Sequence, residues 1–256
     1  MNQAPITIIT PCYNENVIAI KFLESLENTL ANLPGHFCVV VVNDCSTDDT
    51  LSLLKEFHFS NEKLSLKIIN LNCNAGHQAA IYEGLLYAQD LESNHFIIMD
   101  SDGEDSPAVI PELLNHRNTD IVNVVRSNRR ESILFRFCYR IYKIMFRLVT
   151  GKQMNYGNFC LISRPVLEHA VRSHFSHFAA FLAKQTCTRQ YIVAKKEERL
   201  GGQSKMGFKK HFYHAVKSFL EYGSQEPFLI QVRNQNPNSK SPIYEISSDG
   251  NTEKSV

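Results

Sequence analysis

The chain has 256 residues, 43% of them hydrophobic, with 27 basic and 26 acidic side chains that leave a formal net charge of +1. This length suits one large domain, or one domain with an extension, whose core needs neither disulfides nor metal to be stable. The near-zero net charge excludes a globally basic nucleic-acid binder, so a charged partner must be met by a local patch.

Short runs rich in β-branched residues alternate with helical segments in the first half of the chain. We predict strands at 6–10, 37–42, 66–71, 96–99 and 121–125. Helices are predicted at 15–33, from residue 46 onward, and at 79–88. The run 37–42 is apolar almost throughout, which is typical of a strand covered on both faces. The alternation predicts an α/β fold with a mostly parallel, Rossmann-like sheet flanked by helices.

The second half of the chain is less regular. Helices are predicted at 132–149, 165–173 and 208–222, which gives the C-terminal half an amphipathic, helical character. Residues 226–256 are rich in Asn, Ser and Pro and poor in aliphatic side chains, which predicts a flexible tail.

Polar residues follow four of the predicted strands, at the point where each strand ends. In order, these loops read PCYNE (11–15), NDCSTD (43–48), NCNAG (72–76) and DSDGED (100–105). A single polar loop is unremarkable. In an open α/β sheet, however, ligands bind beyond the carboxyl ends of the strands. Four such loops at one edge therefore indicate a binding site.

The fourth loop contains the sharpest signal. Asp100 and Asp102 stand one residue apart directly after an apolar strand, and Glu104 and Asp105 follow in the same loop. Carboxylate oxygens are the ligands that Mg²⁺ and Mn²⁺ prefer, and such ions often bridge to substrate phosphates. Crowded like charges are unfavourable unless a cation neutralises them. We predict a divalent cation here, although an isolated DxD often occurs by chance.

Two further carboxylates lie at the same predicted edge. Asp44 ends the second strand, where its side chain could accept hydrogen bonds from a base or ribose. Glu15 could do the same, or it could simply be a residue of the first helical turn.

A basic segment follows the fifth strand. Residues 126–149 contain seven basic side chains and one acidic one, a local charge of +6. Within this segment the spacing of four, three and four residues places one stripe of charge on an otherwise apolar helix, formed by Arg136, Arg140, Lys143 and Arg147. Such a helix suits the interface of an anionic membrane. It could equally pack on the core with its basic stripe facing a cleft or water.

The segment RLGGQSK (199–205) combines two glycines with flanking positive charge from Arg199 and Lys205. The glycines permit a mobile loop with close backbone approach to a ligand. On these residues alone, a plain surface turn is the simpler interpretation.

Five segments together, ITIITPCYNE, VVVNDCSTDDT, NLNCNAGHQAAIYEG, FIIMDSDGED and RLGGQSK, resemble family two glycosyltransferases of the GT-A fold. Among these, the chain is most similar to the dolichyl- and polyprenyl-phosphate hexosyltransferases, and the similarity runs from about residue 6 to 222. The resemblance implies a GT-A-type domain over 1–225. Its nucleotide-sugar-binding half would be 1–126 and its acceptor- and membrane-facing half 127–225.

The resemblance also implies roles for individual residues. The nucleotide sugar is expected to be bound by Pro11, Tyr13, Glu15, Asp44, Asn74, Gly76, Asp100, Ser101 and Asp102. The metal ligands are expected to be Asp100, Asp102 and Glu104, the last of which is glutamine in many relatives. The acceptor or its phosphate is expected near Arg126, Arg129, Arg199, Ser204 and Lys205. Catalysis is expected to depend on Asp100, Asp102 and Asp105.

The nature of the acceptor follows from what the chain lacks. Inverting transfer to a hydroxyl needs a general base, whereas a phosphate oxygen is already ionised at neutral pH. No Asp or Glu occurs between Glu168 and Glu197, although three histidines lie there: His169, His174 and His177. The missing carboxylate and the surplus of arginines favour a phosphate acceptor, with Asp105 as the remaining base if one is required.

The sequence thus predicts an inverting, Mg²⁺- or Mn²⁺-dependent transfer of a hexose from a nucleotide-diphosphate sugar to a polyprenyl-phosphate-type lipid at an anionic membrane surface. Transfer to a saccharide hydroxyl during surface-polysaccharide assembly is the alternative. A sugar nucleotidyltransferase would carry a glycine-rich loop after the first strand, and an inactive membrane-binding scaffold would not turn over a donor. The base, the sugar and the oligomeric state stay open.

The location expected from the sequence is the cytoplasm, with peripheral attachment to the inner face of the membrane. The N-terminus has no basic region followed by an apolar stretch, and no apolar run approaches the roughly 20 residues that span a bilayer. The seven scattered cysteines form no CxxC pair, which favours a reducing compartment over a zinc site or a disulfide framework.

Overall fold

The structure is a computed structural model that describes residues 4–127, 156–195 and 197, together with the backbone of 244–247. Its strands are β1 (Ile6–Cys12), β2 (Phe37–Asn43), β3 (Leu64–Asn70), β4 (His95–Ile98), β5 (Ile121–Ser127), β6 (Tyr156–Ser163), β7 (Arg189–Lys195) and β8 (Tyr244–Ser247). Its α-helices are α1 (Asn16–Leu30), α2 (Thr50–Glu56), α3 (His77–Ala88), α4 (Ile110–Leu114), α5 (Arg164–Ser173) and α6 (Phe178–Lys184). A short 3₁₀ turn, Pro107–Val109, precedes α4.

All of these strands belong to one mixed sheet in the order β7-β5-β6-β4-β1-β2-β3-β8. Strands β2 and β4 are parallel to β1, β3 is parallel to β2, and β7 is parallel to β5. Strand β6 runs antiparallel between β4 and β5, and β8 runs antiparallel to β3. Strands β1 to β5 and β7 therefore all point the same way, and their carboxyl ends form one rim of the sheet.

Helices cover both faces of this sheet, so its central strands are buried on both sides. Every residue of β1 and β2 is buried, as expected for parallel strands between two helical layers. Ile8 packs in the core layer that contains α1, whereas its neighbour Ile9 packs in the layer that contains α3, α5 and α6. Within the described part of the chain, no helix has both the length and the apolar character needed to cross a membrane.

The five predicted strands match β1 to β5, with boundaries that differ by a few residues. The helix predicted from Ser46 begins only at Thr50, because the hydroxyl of Ser46 donates to Asn43 Oδ1 and accepts from the Asn14 amide in the preceding loop. The predicted helix 165–173 corresponds to α5. The predicted helices 132–149 and 208–222 lie outside the described residues.

Five elements were not predicted: strands β6, β7 and β8 and helices α4 and α6. Strand β8 lies within 226–256, the segment expected to form a flexible tail, and its four residues pair with β3. The rest of that segment lies outside the described residues.

Helix α3 approaches the sheet most closely at Gly84. A Cβ atom at this position would lie 2.5 Å from Ile9 Cγ2 and 3.0 Å from Val42 Cγ2, both on fully buried side chains. The missing side chain therefore sets the distance between α3 and the sheet. Since α3 starts at the rim, this distance also positions the residues at its first turn.

We predict that Gly84→Ala lowers the free energy of unfolding by about 1–3 kcal/mol, the usual penalty for overpacking a core. In a helix with free space around the glycine, the same change would raise the free energy of unfolding by about 1 kcal/mol. The sign of the change in this free energy therefore distinguishes close packing from free space. Gly157→Ala is the matched control, because a Cβ there meets no atom within 4 Å. Denaturant unfolding of both variants measures the difference. A stabilised Gly84→Ala would contradict the close packing.

Candidate active site

The carboxylate of Asp44, at the end of β2, holds the turn that leads into α3. Its Oδ1 accepts a hydrogen bond from the Ala75 amide at 2.7 Å, and its Oδ2 accepts one from the Gly76 amide at 2.9 Å. The side chain of Asn74 donates to the Asp44 carbonyl at 3.3 Å. Gly76 has φ +88°, a left-handed conformation that favours glycine. Asp44, Asn74 and Gly76, all predicted site residues, are thus brought together.

Asp44 is almost fully buried in this position, with 3% of its surface exposed. Burial raises the pKa of its carboxyl group, while the two amide hydrogen bonds oppose the shift. Both oxygens serve the turn. Asp44 therefore fixes the N-terminus of α3, a contribution that the strand-end pattern alone did not reveal.

Asn14 joins the loops that follow β1 and β2. Its backbone takes a left-handed conformation, with φ +51°. Its Oδ1 accepts from the Thr47 amide at 2.8 Å, and its own amide donates to Ser46 Oγ at 2.9 Å. Next to it, the amide of Glu15 donates to Thr50 Oγ1 at 3.0 Å. These contacts hold the two loops as one surface, at which Tyr13 is 38% exposed.

Ser101 links this surface to the acidic loop, defined as residues 100–105. Its hydroxyl lies 2.8 Å from the Pro11 carbonyl and also contacts the Glu15 carboxylate. The side chain is 2% exposed. Ser101 therefore braces the acidic loop against the loop after β1 from inside the protein.

Two of the acidic-loop carboxylates shape the loop itself. Asp102 Oδ1 accepts from the Glu104 amide at 2.9 Å, across Gly103, whose φ is +84°. Asp105 Oδ2 accepts from the Asp100 amide at 3.1 Å, which closes the loop on itself. Asp105 is 2% exposed and Asp102 is 6% exposed. The spacing of the carboxylates thus produces a compact turn.

Arg126, near the end of β5, supplies positive charge to this loop. One guanidinium nitrogen donates to Asp105 Oδ1 at 2.6 Å and lies 3.8 Å from Asp100 Oδ2; the other lies 3.7 Å from Glu104 Oε2. Burial alone would lower the pKa of Arg126, but Asp105 and Asp100 raise it above its ordinary value. Arg126, which the sequence analysis expected beside an acceptor phosphate, here lies against three carboxylates.

Burial has the opposite influence on Asp105. It raises the pKa of this carboxyl group to about 6, although Arg126 favours the ionised form. Both Asp105 oxygens are engaged, one by Arg126 and one by the Asp100 amide. A carboxylate held in this way suits a structural role better than the uptake of a proton from a substrate.

His77, the first residue of α3, reaches the acidic loop from the other side. Its Nε2 lies 3.3 Å from Asp100 Oδ1 and 3.0 Å from the side-chain nitrogen of Asn158 on β6. Burial would lower the pKa of His77, but the charge of Asp100 raises it above the ordinary value. Sequence reasoning missed both residues. For His77 a signal was present, since it directly follows the N-x-G turn.

The donor set of the acidic loop fits a hard divalent cation. Its four carboxylates are only partly neutralised by the guanidinium of Arg126 and, when protonated, the imidazole of His77. They belong to Asp100, Asp102, Glu104 and Asp105. In the described part of the chain, however, no three Asp, Glu, His or Cys side chains converge as a ready metal cage. The three predicted ligands are thus neighbours without forming a closed site. Mg²⁺ commonly binds to one or two carboxylates and completes its shell with substrate phosphates.

The remaining predicted residues divide into two groups. Arg129, Arg199, Ser204 and Lys205 lie outside the described residues. The three histidines considered as bases make contacts within the protein. His174 Nδ1 lies 2.6 Å from the Tyr82 hydroxyl, and His177 Nδ1 accepts a hydrogen bond from the Ala180 amide at 3.3 Å. His169 makes an edge-to-face ring contact with Phe181.

The chain belongs to glycosyl transferase family 2, whose family model matches residues 7–170. An uncharacterized glycosyltransferase of Synechocystis sp. is 30% identical over 228 residues, which are 85% of this chain and 69% of that protein. The undecaprenyl-phosphate 4-deoxy-4-formamido-L-arabinose transferase of Salmonella choleraesuis is 26% identical over 211 residues, 79% of this chain and 63% of that protein. The chain therefore spans about two thirds of the length of these relatives.

Two solved structures share the fold. The mannosyltransferase PcManGT of Pyrobaculum calidifontis, in complex with GDP-Man and Mn²⁺, has a TM-score of 0.59 at 16% identity, covering 94% of this chain and 67% of its own. Glucosyl-3-phosphoglycerate synthase of Mycobacterium tuberculosis, in complex with Mn²⁺, UDP and glucosyl-3-phosphoglycerate, has a TM-score of 0.61 at 13% identity, covering 87% and 81%. The α/β fold of GT-A type predicted from the sequence is thereby confirmed.

We predict that Asp105→Asn lowers the free energy of unfolding by about 3 kcal/mol, because it leaves Arg126 without its buried partner. Asp100 and Glu104 still face the guanidinium, which keeps the loss at the lower end of the usual range. Glu104→Gln is the control: it removes the 3.7 Å ion pair with Arg126, and we expect a loss of about 1 kcal/mol or less. Chemical denaturation measures both. Equal losses would contradict a dominant Asp105–Arg126 pair.

Proposed function

We propose that the chain is an inverting, metal-dependent hexosyltransferase that uses a nucleotide-diphosphate sugar and a polyprenyl-phosphate-type acceptor. The observation that carries this proposal is the acidic loop at the carboxyl ends of the parallel strands. One guanidinium there faces three carboxylates at 2.6 to 3.8 Å. The excess negative charge suits a divalent cation that arrives with a diphosphate.

The donor's nucleotide would lie on the surface formed by the loops after β1 and β2. The contacts of Asn14 with Ser46 and Thr47 hold that surface rigid, and Tyr13 is exposed on it. Glu15, within the same surface, provides a carboxylate for a base or ribose. The proteins of similar fold were solved with GDP-Man in one case and UDP in the other, so both nucleotides belong in the test.

The acidic loop would hold the metal and the diphosphate through Asp100 and Asp102, with Glu104 as a third oxygen ligand. A bound Mg²⁺ or Mn²⁺ would supply charge stabilisation for the departing nucleoside diphosphate. The turn across Gly103 keeps Asp102 at a fixed place in the loop. Preorganised charge of this kind is usually the largest contribution to transition-state stabilisation.

The acceptor is proposed to be a phosphate because none of the general bases considered in the sequence analysis is placed to take a proton from a substrate. Asp105 is held by Arg126 and the Asp100 amide, and the three candidate histidines pack against α3, α6 and their surroundings. A phosphate oxygen attacks without losing a proton. The similarity to the undecaprenyl-phosphate transferase of Salmonella supports the same acceptor class. The basic side chains that follow Arg126 in the segment 126–149 would meet the anionic lipid surface.

The test is an assay of the purified chain with Mn²⁺, a panel of UDP- and GDP-sugars, and a polyprenyl phosphate. We expect one donor to yield a hexosyl polyprenyl phosphate, with release of UDP or GDP that depends on the acceptor. Asp102→Ala should lower turnover at least about 100-fold, the loss typical of removing one preorganised charged group. Asp90→Ala, which removes an exposed carboxylate after α3, is the matched control.

Two results would contradict the proposal. Transfer to a lipid-linked saccharide with none to polyprenyl phosphate would establish the hydroxyl-acceptor alternative. Undiminished turnover by Asp102→Ala would rule out the proposed role of the acidic loop.

A further inference from the structure

His77 and Asn158 occupy a place that neither the sequence pattern nor the proposed metal ligands explain. The imidazole of His77 lies between two groups, 3.3 Å from Asp100 Oδ1 and 3.0 Å from the Asn158 side-chain nitrogen. The three residues come from three different elements: the start of α3, the loop after β4, and β6. Contacts of this kind beside a metal-binding carboxylate commonly orient it.

Sheet register explains why Asn158 is there. Strands β4 and β6 are antiparallel, and Ile98 pairs with Cys160. Continued two residues beyond the end of β4 and two residues back along β6, this register would place Asp100 opposite Asn158. The inserted antiparallel strand therefore brings an amide beside the first carboxylate of the acidic loop.

The backbone of His77 is fixed from its other side. Asp44 accepts hydrogen bonds from the two amides immediately before it, those of Ala75 and Gly76. The first turn of α3 is thus anchored to the end of β2, and the close approach at Gly84 fixes the helix along its length. A displacement of His77 away from Asp100 would disturb both the hydrogen bonds to Asp44 and the packing at Gly84.

The two oxygens of Asp100 are divided between opposite neighbours. Oδ1 faces His77 at 3.3 Å, and Oδ2 faces the guanidinium of Arg126 at 3.8 Å. Charge attraction from the guanidinium and, when it is protonated, from the imidazole favours one orientation of this carboxylate. Groups that orient a metal-binding carboxylate in this way typically change metal affinity 10- to 100-fold when they are removed.

Asn158 shows a feature that stability alone does not explain. Its Oδ1 is buried and, among the described residues, has no hydrogen-bond partner. A buried polar atom left unpaired normally destabilises a protein by about 1–3 kcal/mol. With its amide turned over, Asn158 would place this oxygen about 3.0 Å from His77 Nε2, where it could accept from the N–H of an imidazole that also faces Asp100. In this orientation the amide holds His77 and the unpaired oxygen gains a partner.

We propose that His77 and Asn158 are positioning residues: Asn158 holds the imidazole of His77, and His77 orients the Asp100 carboxylate for a divalent cation. This inference rests on the proposed metal-dependent function. Neither residue contacts the cation itself. Mg²⁺ and Mn²⁺ prefer the oxygen ligands that the acidic loop already supplies.

The test measures Mn²⁺ binding directly, without turnover. Free Mn²⁺ is followed by electron paramagnetic resonance in the presence of saturating UDP or GDP, whichever the full chain binds. We expect His77→Ala to weaken Mn²⁺ binding 10- to 100-fold. His77→Gln, which keeps a side-chain N–H donor, should stay within about threefold of the parent chain. His36→Ala changes an exposed histidine before β2 and serves as the matched control.

A double-mutant cycle tests the order of the two residues. If Asn158 acts through His77, Asn158→Ala weakens Mn²⁺ binding, and adding it to His77→Ala weakens binding no further. Thermal unfolding of each variant separates misfolding from a local effect, and we expect intact cooperative transitions. Fully additive losses would overturn the part assigned to Asn158.

The remaining outcomes also decide the matter. Mn²⁺ binding by His77→Ala that equals the parent chain would overturn the positioning role and leave the proposed function intact. Nitrogen hyperfine coupling from a directly bound imidazole would overturn it by making His77 a metal ligand. An equal loss in His77→Gln would overturn orientation of Asp100 through a side-chain N–H. A parent chain that binds no Mn²⁺ with either nucleotide would overturn both this inference and the proposed metal dependence.

Discussion

The site is organised by the crowding of carboxylates in the acidic loop. Asp100, Asp102, Glu104 and Asp105 lie within six residues at one rim of the sheet, and their mutual repulsion must be compensated for the loop to be stable. Arg126 supplies the nearest compensation through a buried pair with Asp105. Hydrogen bonds from loop amides to Asp102 and Asp105 supply more. These contacts leave part of the negative charge of the loop uncompensated. A divalent cation that arrives with a diphosphate would neutralise it.

Strand order makes this compensation possible. Strands β4 and β5 follow each other in the chain but are not neighbours in the sheet, because the antiparallel β6 lies between them. The carboxyl end of β5 nevertheless reaches the same rim. Arg126 thereby enters the acidic loop from one side. Helix α3 enters from the other, since Asp44 ties its first turn to β2 and brings His77 within reach of Asp100. The rim is therefore a set of mutually supporting contacts.

Much of the fold followed from the sequence because the signals were local. The strands β1 to β5 are short apolar runs between polar loops, and those loops do meet at one rim. Strand β7 was not predicted because its sequence lacks the pattern of a buried strand. It lies at the end of the described sheet, Tyr191 and Val193 are exposed, and both of its terminal residues are charged. Strand β6 mixes polar and apolar residues because it begins at the rim with Gly157 and Asn158.

The contacts of the site could be predicted less well, because they depend on non-local register. The sequence identified Arg126 but not its partners, which only the order of β4, β6 and β5 determines. It likewise gave no reason to single out Asn158. The net charge of +1 likewise does not reveal the charged regions of the chain. It is a sum in which the acidic loop and the basic segment 126–149 largely cancel.

The acidic loop is proposed to bind a nucleoside diphosphate through a divalent cation held by Asp102. Isothermal titration of UDP and GDP into the chain, with Mn²⁺ or with a chelator, tests it most directly. We expect Mn²⁺ to tighten binding of one nucleotide at least about tenfold, or about 1.4 kcal/mol, and Asp102→Ala to abolish this gain. Equal nucleotide affinity with Mn²⁺ and with chelator would contradict it.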